Sequence, residues 1–116
     1  MRLSRFPFLC ATILLLPVLG FGQDATGRIT GTISDPQGAV LPGVRVTVTD
    51  SATQVSRTTT TGHDGSYQVL ALPIGNYRVT AEHEGFRTVL SDPYKLLINQ
   101  VLRVDIRMEV GAATQI

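Results

Sequence analysis

The sequence predicts an all-β protein, a seven-stranded antiparallel β-sandwich, and three observations support this prediction. Apolar and polar residues alternate with a period of two in several segments, which is typical of half-buried strands. No segment shows helical spacing over roughly ten residues. Turn residues recur at intervals of about 8 to 12 residues, as expected for a sandwich of short strands.

The N-terminal residues have the features of a secretory signal peptide. Arg2 and Arg5 give a positive start, residues 6–19 are almost wholly apolar, and Gly20 and Gly22 supply the small residues of a cleavage site. The apolar run is shorter than the roughly 20 residues that a membrane-spanning helix needs. We therefore expect cleavage after Gly22 and export to the periplasm, the outer membrane or the exterior.

This interpretation divides the chain into four parts. They are a signal peptide (1–22), a short linker (23–26), one β-sandwich domain (27–111) and a C-terminal tail (112–116). Cys10 is the only cysteine and is lost with the signal peptide, so apolar burial must stabilise the domain without a disulfide. The mature chain carries eight basic and nine acidic residues, and this balance argues against a nucleic-acid partner.

Two early segments alternate strictly and predict the first two strands. Their inward positions are Ile29, Gly31 and Ile33, followed by Val44, Val46 and Val48. Residues 35–38 predict the turn between them, since Asp35 bonds the backbone ahead, Pro36 fixes φ and Gly38 accepts a positive φ.

The middle of the chain predicts three strands with two tight connections. Residues 55–61 are rich in threonine and predict a polar edge strand. Residues 62–65 predict a hairpin turn into a strand that begins at Tyr67. After a corner at 72–75, a further strand turns four residues inward: Tyr77, Val79, Ala81 and His83.

The last third of the chain predicts two more strands of unequal length and a further pair of inward residues. Residues 86–90 form a short strand, and residues 91–93 form a turn. Leu96 and Ile98 are a further inward pair. The longest predicted strand closes the domain, with five inward positions: Leu102, Val104, Ile106, Met108 and Val110.

Four spaced motifs resemble the carboxypeptidase regulatory-like domain family. They are Gly31 to Val44 (GTISDPQGAVLPGV), Thr61 to Tyr67 with Leu72 to Tyr77, Gly85-Phe86, and Val104 to Gly111. The resemblance covers residues 27–111. It implies a transthyretin-like (prealbumin-like) seven-stranded sandwich, which is also grouped with carbohydrate-binding-like folds.

Two further features resemble the N-terminal periplasmic extension of TonB-dependent, Oar-like outer-membrane receptors. They are the threonine run 58–61 and the segment 110–114. The resemblance implies a non-catalytic accessory domain that acts through protein contacts, either as part of a truncated receptor or as a free-standing copy. A protein partner or a receptor barrel is then expected, and the edge strand 55–61 is available for pairing or is an inert solvated edge.

The sequence contains few groups that could carry chemistry. His63 and His83 are the only imidazoles, with Asp64, Glu82 and Glu84 near them in sequence. A metal site needs three or four ligands that converge, whereas His63 lies in a turn and both glutamates face away from His83. No nucleophile with a positioned base is recognisable. We therefore predict no catalytic, cofactor-binding or metal-binding residue.

The alternative function is a secreted carbohydrate-binding module, which would stack sugar rings on exposed aromatic side chains. The sequence has no Trp, and Tyr67, Tyr77 and Phe86 are expected in the core. Only Tyr94, and Phe21 if the signal peptide were retained, would be exposed. A lone ring supports modest affinity, so this alternative ranks second.

Overall fold

A computed structural model describes residues 25–111, so the predicted signal peptide and C-terminal tail lie outside the described residues. Within this part the chain forms strands and no helix. The strands are β1 (Thr26–Ser34), β2 (Arg45–Asp50), β3 (Ser56–Thr60), β4 (Ser66–Pro73), β5 (Gly75–Glu82), β6 (Val89–Leu90), β7 (Tyr94–Leu96), β8 (Val101–Arg103) and β9 (Ile106–Arg107).

These strands form the two sheets of an all-β sandwich, which confirms the predicted fold class. One sheet has the order β4-β1-β8, with β9 also paired to β1, and the other has the order β3-β2-β5-β6, with β7 also paired to β5. Because β6 and β7 share one side of β5, and β8 and β9 share one side of β1, the described strands occupy seven lateral positions. The last of these positions is therefore a broken strand, made of β8 and β9, where the sequence predicted one continuous strand.

The sandwich is not purely antiparallel, which corrects one part of the prediction. β8 and β9 both run parallel to β1, in the registers Ile29 to Leu102 and Ile33 to Ile106. The reason is that β7 belongs to the other sheet, so the chain crosses over and returns in the direction of β1. Consequently Ala25 and Gly111 lie at opposite ends of the sandwich.

The turn at 62–65 forms as expected, with the Gly65 amide donating to the Gly62 carbonyl at 2.9 Å. The strands on either side of it are not a hairpin, however, because β3 pairs with β2 and β4 pairs with β1. The prediction of a hairpin was wrong for a physical reason. The turn sequence specifies a local reversal but not whether the returning strand joins the same sheet.

The core lies between the inner faces of the two sheets. Its buried members are mainly the predicted alternating residues: Ile29, Ile33, Val44, Val46, Val48, Tyr67, Val69, Leu72, Tyr77, Val79, Ala81, Leu96, Val104, Ile106 and Met108. Two predicted inward residues are exposed instead, Ile98 at 56% and Val110 at 68%. Ile98 falls in the turn between β7 and β8, and Val110 lies beyond β9, so neither has a facing sheet.

The predicted strand at 86–90 is reduced to β6 and a single bridge between Phe86 and Val110. Arg87 reinforces this bridge, since its amide donates to the Glu109 carbonyl at 2.8 Å. The segment 86–90 thus connects the sheet that contains β5 to the residues that follow β9 in the other sheet. One flank of the sandwich is closed by these contacts.

Gly31 marks the closest approach between β1 and the segment linking β8 to β9. A Cβ atom at this position would overlap the Val104 carbonyl oxygen and come within 2.9 Å of the Tyr67 ring. The Tyr67 hydroxyl passes over this glycine and donates to the Val104 carbonyl at 2.7 Å. Glycine is required here because β1, the Tyr67 ring of β4 and the backbone of Val104 meet where only a hydrogen atom fits.

Candidate interaction surface

The flank opposite the Phe86 bridge is formed by two edge strands, one from each sheet. β3 (residues 56–60) ends the five-stranded sheet, and β4 (residues 66–73) ends the other sheet. We call this surface the open flank. The position of β3 confirms the prediction that segment 55–61 is an edge strand.

The pairing of β3 with β2 decides which of its backbone groups remain available. The Asp50 amide donates to the Val55 carbonyl at 2.9 Å, and the Thr61 amide donates to the Val44 carbonyl at 3.0 Å. Since bonded pairs alternate along an antiparallel ladder, Arg57 and Thr59 also bond inward to β2. The backbone groups of the intervening residues therefore point outward, and these residues are Ser56, Thr58 and Thr60.

The β4 edge is protected, unlike the β3 edge. Between the pairs Gly27 to Leu72 and Ile29 to Val69, the register shifts, so β4 carries a bulge at Leu70 and Ala71. Ala71 has φ 53°, a left-handed conformation. Arg57 reaches across from β3 and donates to the carbonyls of Leu70 at 2.6 Å and Ala71 at 3.2 Å. A bulge and a charged cap are common protections against edge pairing.

An apolar groove of about 380 Å³ lies beside Arg57 where the open flank meets the corner between β4 and β5. Its lining residues are Val48, Asp50, Thr53, Val55, Arg57, Leu72, Pro73, Ile74 and Tyr77. Val55 is 64% exposed and Ile74 is 49% exposed, so apolar surface on both rims faces solvent. The groove is lined on the β3 side by Val55 and Arg57, whose side chains lie on the inner face of the sheet.

Tyr77 forms the floor of this groove and is held there by a hydrogen bond. Its hydroxyl donates to the Pro73 carbonyl at 2.6 Å. Burial raises the pKa of Tyr77, and the nearby Asp50 carboxylate raises it further. The tyrosine therefore stays neutral at physiological pH and is a fixed part of the wall.

Arg57 has no carboxylate partner among residues 25–111. The ion pairs in this part of the chain are Arg45 with Glu82 at 3.8 Å and Arg103 with Asp105 at 3.0 Å. Arg57 uses two of its five N–H groups on carbonyl oxygens. Its positive charge and its other donors thus remain available at the open flank.

The imidazoles and carboxylates considered in the sequence do not converge. His63 and Asp64 lie in the exposed turn before β4, where Asp64 accepts from the Ser66 hydroxyl at 2.7 Å. That bond and a second one from the Ser66 amide lower the pKa of Asp64. The aspartate is therefore explained as the stabilising residue of a turn.

His83 lies just beyond the end of β5 and is half-buried, so it is not an inward residue of that strand as the sequence predicted. Its Nδ1 atom is 3.1 Å from the Glu84 carbonyl oxygen, and its ring meets the edge of Phe86 at a centroid distance of 5.6 Å. Glu82 is directed to Arg45. Residues 25–111 contain no group of three or more metal-ligating side chains.

The aromatic residues of the described chain are packed against the core. Tyr67 and Tyr77 are buried, and Phe86 and Tyr94 are half-buried against the same cluster. The expectation that Tyr94 is exposed was therefore wrong. Tyr94 pairs with Tyr77 across β5 and β7, which brings its ring to the sheet margin.

The sequence interpretation identified the β3 edge but missed Arg57 and the groove. The available signal was the alternation of side chains along the strand, because it places Arg57 on the inner face of a strand whose other residues are small and polar. The groove also depends on Ile74, which lies in the corner between strands. Its position beside β3 follows from the tertiary arrangement and could not be inferred from local pattern.

Comparison with known families decides the relationship of the chain. The family model for the carboxypeptidase regulatory-like domain matches residues 28–109, which is more than half of the chain. The chain belongs to the carboxypeptidase regulatory-like domain family. This membership confirms the resemblance found in the four sequence motifs.

A curated relative is the TonB-dependent transporter Oar of Myxococcus xanthus. It is 31% identical over 96 residues, which are 82% of this chain and 9% of the transporter. The chain thus spans about a tenth of the length of this relative, and the similarity concerns a small part of a much larger protein.

Solved structures show the fold at low sequence identity. The Bacillus anthracis TIE protein aligns with a TM-score of 0.63 and 18% identity, covering 74% of this chain and 17% of that one. Chlorocatechol 1,2-dioxygenase from Pseudomonas putida aligns with a TM-score of 0.60 and 14% identity, covering 77% and 63%. Such identities establish a shared β-sandwich and nothing about chemistry. Among residues 25–111, no helix is long and apolar enough to span a membrane.

Proposed function

We propose that the chain is a non-catalytic, exported accessory domain of a TonB-dependent outer-membrane receptor, and that it acts through protein contacts. The observation that supports this proposal most directly is the similarity to the transporter Oar over 82% of the chain. In this proposal residues 1–22 are a cleaved signal peptide and residues 27–111 are the periplasmic module.

The composition of the described surface favours contacts over chemistry. His63 lies in the exposed turn before β4, His83 lies beside the Glu84 carbonyl, and residues 25–111 contain no cluster of metal-ligating side chains. The open flank offers unpaired strand backbone and exposed apolar groups beside a cation. Such a surface fits a protein partner. Carbohydrate binding ranks lower because the four described aromatic rings are buried or half-buried.

Fractionation of the native host tests this function. With an epitope tag after Ile116, the chain is expected in the envelope fraction, and its N-terminus is expected to be Gln23. Chemical cross-linking is expected to join it to an outer-membrane barrel protein. A Leu15→Arg variant, which interrupts the apolar run, is the matched control and should remain in the cytoplasm uncleaved.

Two outcomes would contradict the proposal. Recovery of the unaltered chain in the cytoplasm, with residues 1–22 still attached, would remove the export step. Efficient export without any cross-link to a barrel protein would remove the receptor and favour a secreted domain.

A further inference from the structure

We propose that the open flank binds an extended peptide segment of a partner protein, which adds a strand to the outward edge of β3. The segment would carry apolar residues at alternate positions and a carboxylate that pairs with Arg57. This inference rests on the proposed function in one respect, namely that the partner is a protein.

The outward backbone groups of β3 can pair with an added strand. Ser56, Thr58 and Thr60 direct their amide and carbonyl groups away from β2, so one five-residue strand presents an alternating row of donors and acceptors. An added strand satisfies these groups with main-chain hydrogen bonds, which is the mode called β-augmentation.

The apolar groove can receive side chains of the added strand. In an added strand, every second side chain would lie on the inner face of the sheet, beside Val55 and Arg57. That face opens into the apolar groove bordered by Ile74 and Tyr77. Apolar side chains at alternate positions of the segment would thus bury the exposed surfaces of Val55 and Ile74.

The positive charge of Arg57 favours a carboxylate on the added strand. Arg57 lies on the inner face of β3 and lines the groove, and no carboxylate of residues 25–111 pairs with it. Its guanidinium keeps unused donors after bonding the Leu70 and Ala71 carbonyls. A carboxylate on the added strand would accept a charge-assisted hydrogen bond from one of these donors.

The β4 edge is excluded as the pairing surface by the bulge that protects it. The carbonyls of Leu70 and Ala71 already accept from Arg57, and the left-handed Ala71 breaks the regular spacing of that edge. The asymmetry between a protected β4 and an unprotected β3 selects β3 as the edge that pairs with the added strand.

A designed peptide tests the inference directly. The probe is an acetylated and amidated peptide with the sequence Lys-Thr-Val-Thr-Asp-Thr-Val-Thr-Lys, titrated into the ¹⁵N-labelled chain. Saturable amide shifts are expected at residues 55–60 and at Ile74, and not at β8 or β9. An absence of shifts at about millimolar peptide, or shifts centred elsewhere, would overturn the inference.

Two substitutions at Thr58 separate backbone pairing from other contacts. Thr58→Pro removes an outward amide without breaking the bonds to β2, and is expected to weaken peptide binding at least about tenfold. Thr58→Ala keeps the amide and is expected to change binding less than about threefold. Equal binding by both variants would contradict strand addition.

A charge exchange tests the role of Arg57. Arg57→Glu is expected to weaken binding of the aspartate peptide about tenfold or more. A second peptide, in which lysine replaces the aspartate, is expected to bind this variant as the aspartate peptide binds the unaltered chain. A loss without restoration would show that the ion pair is wrongly assigned. Since these titrations use the isolated chain, they are independent of the receptor. Failure here therefore leaves the export and cross-linking results intact.

Discussion

Thr61 is the buried polar residue that joins the end of β3 to the loop before β2. Its hydroxyl donates to the Leu41 carbonyl at 2.7 Å and accepts from the Val44 amide at 2.9 Å. These two backbone groups have no place in the ladder, so the side chain completes the pairing that the strands leave open. A single hydroxyl thereby fixes the path of the chain into the core strand β2.

We expect Thr61→Val to lower the free energy of unfolding by about 2 to 3 kcal/mol, because it leaves a buried donor and a buried acceptor unpaired at similar volume. Thr61→Ser keeps both hydrogen bonds and should cost only about 1 kcal/mol for the lost methyl group. Urea unfolding followed by circular dichroism measures both. Equal losses would mean that packing, rather than hydrogen bonding, is the contribution of Thr61.

Gly31 gives a steric prediction at the same scale. Gly31→Ala is expected to cost about 3 kcal/mol or more, because the new methyl group meets backbone atoms of Val104 that cannot rotate away. Gly62→Ala is the control, since its Cβ would meet only the Asp64 carboxylate at 3.8 Å. Thermal unfolding should separate the two variants clearly. Similar melting temperatures would contradict the close approach of these strands.

At the scale of single elements, the strands that the sequence predicted well are those with facing sheets along their whole length. β1, β2 and β5 alternate as expected because each is central in its sheet and buries every second residue. Alternation fails near the C-terminus, where Ile98 and Val110 have apolar side chains but no opposing layer. The alternation of apolar residues shows which face of a strand is buried, but it does not show where the opposing sheet ends.

Two proline substitutions test which amides of the edge strand β3 donate to β2. Thr59→Pro removes an amide that bonds to β2 and is expected to cost about 3 kcal/mol. Thr58→Pro removes an outward amide and is expected to cost less than about 1.5 kcal/mol. Urea midpoints of the two variants provide the measurement. The reverse order would place the outward amides on the odd-numbered residues and would move the proposed pairing by one position.

At the scale of the whole molecule, local pattern could predict the sandwich but not the neighbours within it. The parallel pairing of β1 with β8 and β9, and the meeting of β3 with β4, depend on which sheet each returning strand joins. The open flank therefore lay beyond sequence reasoning, although its edge strand did not. Arg57 becomes interpretable only once β4 is known to lie across from it.

Global stability should depend on alkaline pH through Tyr67. Burial raises the pKa of its hydroxyl above the ordinary value of 10.0, and the nearby Asp105 adds to this shift. The stabilisation is thus complete below about pH 10 and is lost as pH rises further, because the unfolded state releases the proton first. The expected slope approaches about 1.4 kcal/mol per pH unit.

Urea titrations between about pH 8 and pH 11 measure this slope. Tyr67→Phe should reduce this slope to the part that Tyr77 contributes, since the pKa of Tyr77 is also raised. The same variant should lower the unfolding free energy at neutral pH by about 1 kcal/mol, because the bond to the Val104 carbonyl is lost. An unchanged slope in this variant would assign the alkaline sensitivity to another group.

The parallel arrangement of the first and last strands also has a mechanical consequence. Because Ala25 and Gly111 emerge at opposite ends, tension between them acts along β1, a strand of nine residues or about 30 Å. The bonds from Arg28 to Gln100, Val104 to Thr30 and Met108 to Ser34 would be sheared together. They would not be peeled apart one at a time. Tension along the chain would thereby be shared among these bonds.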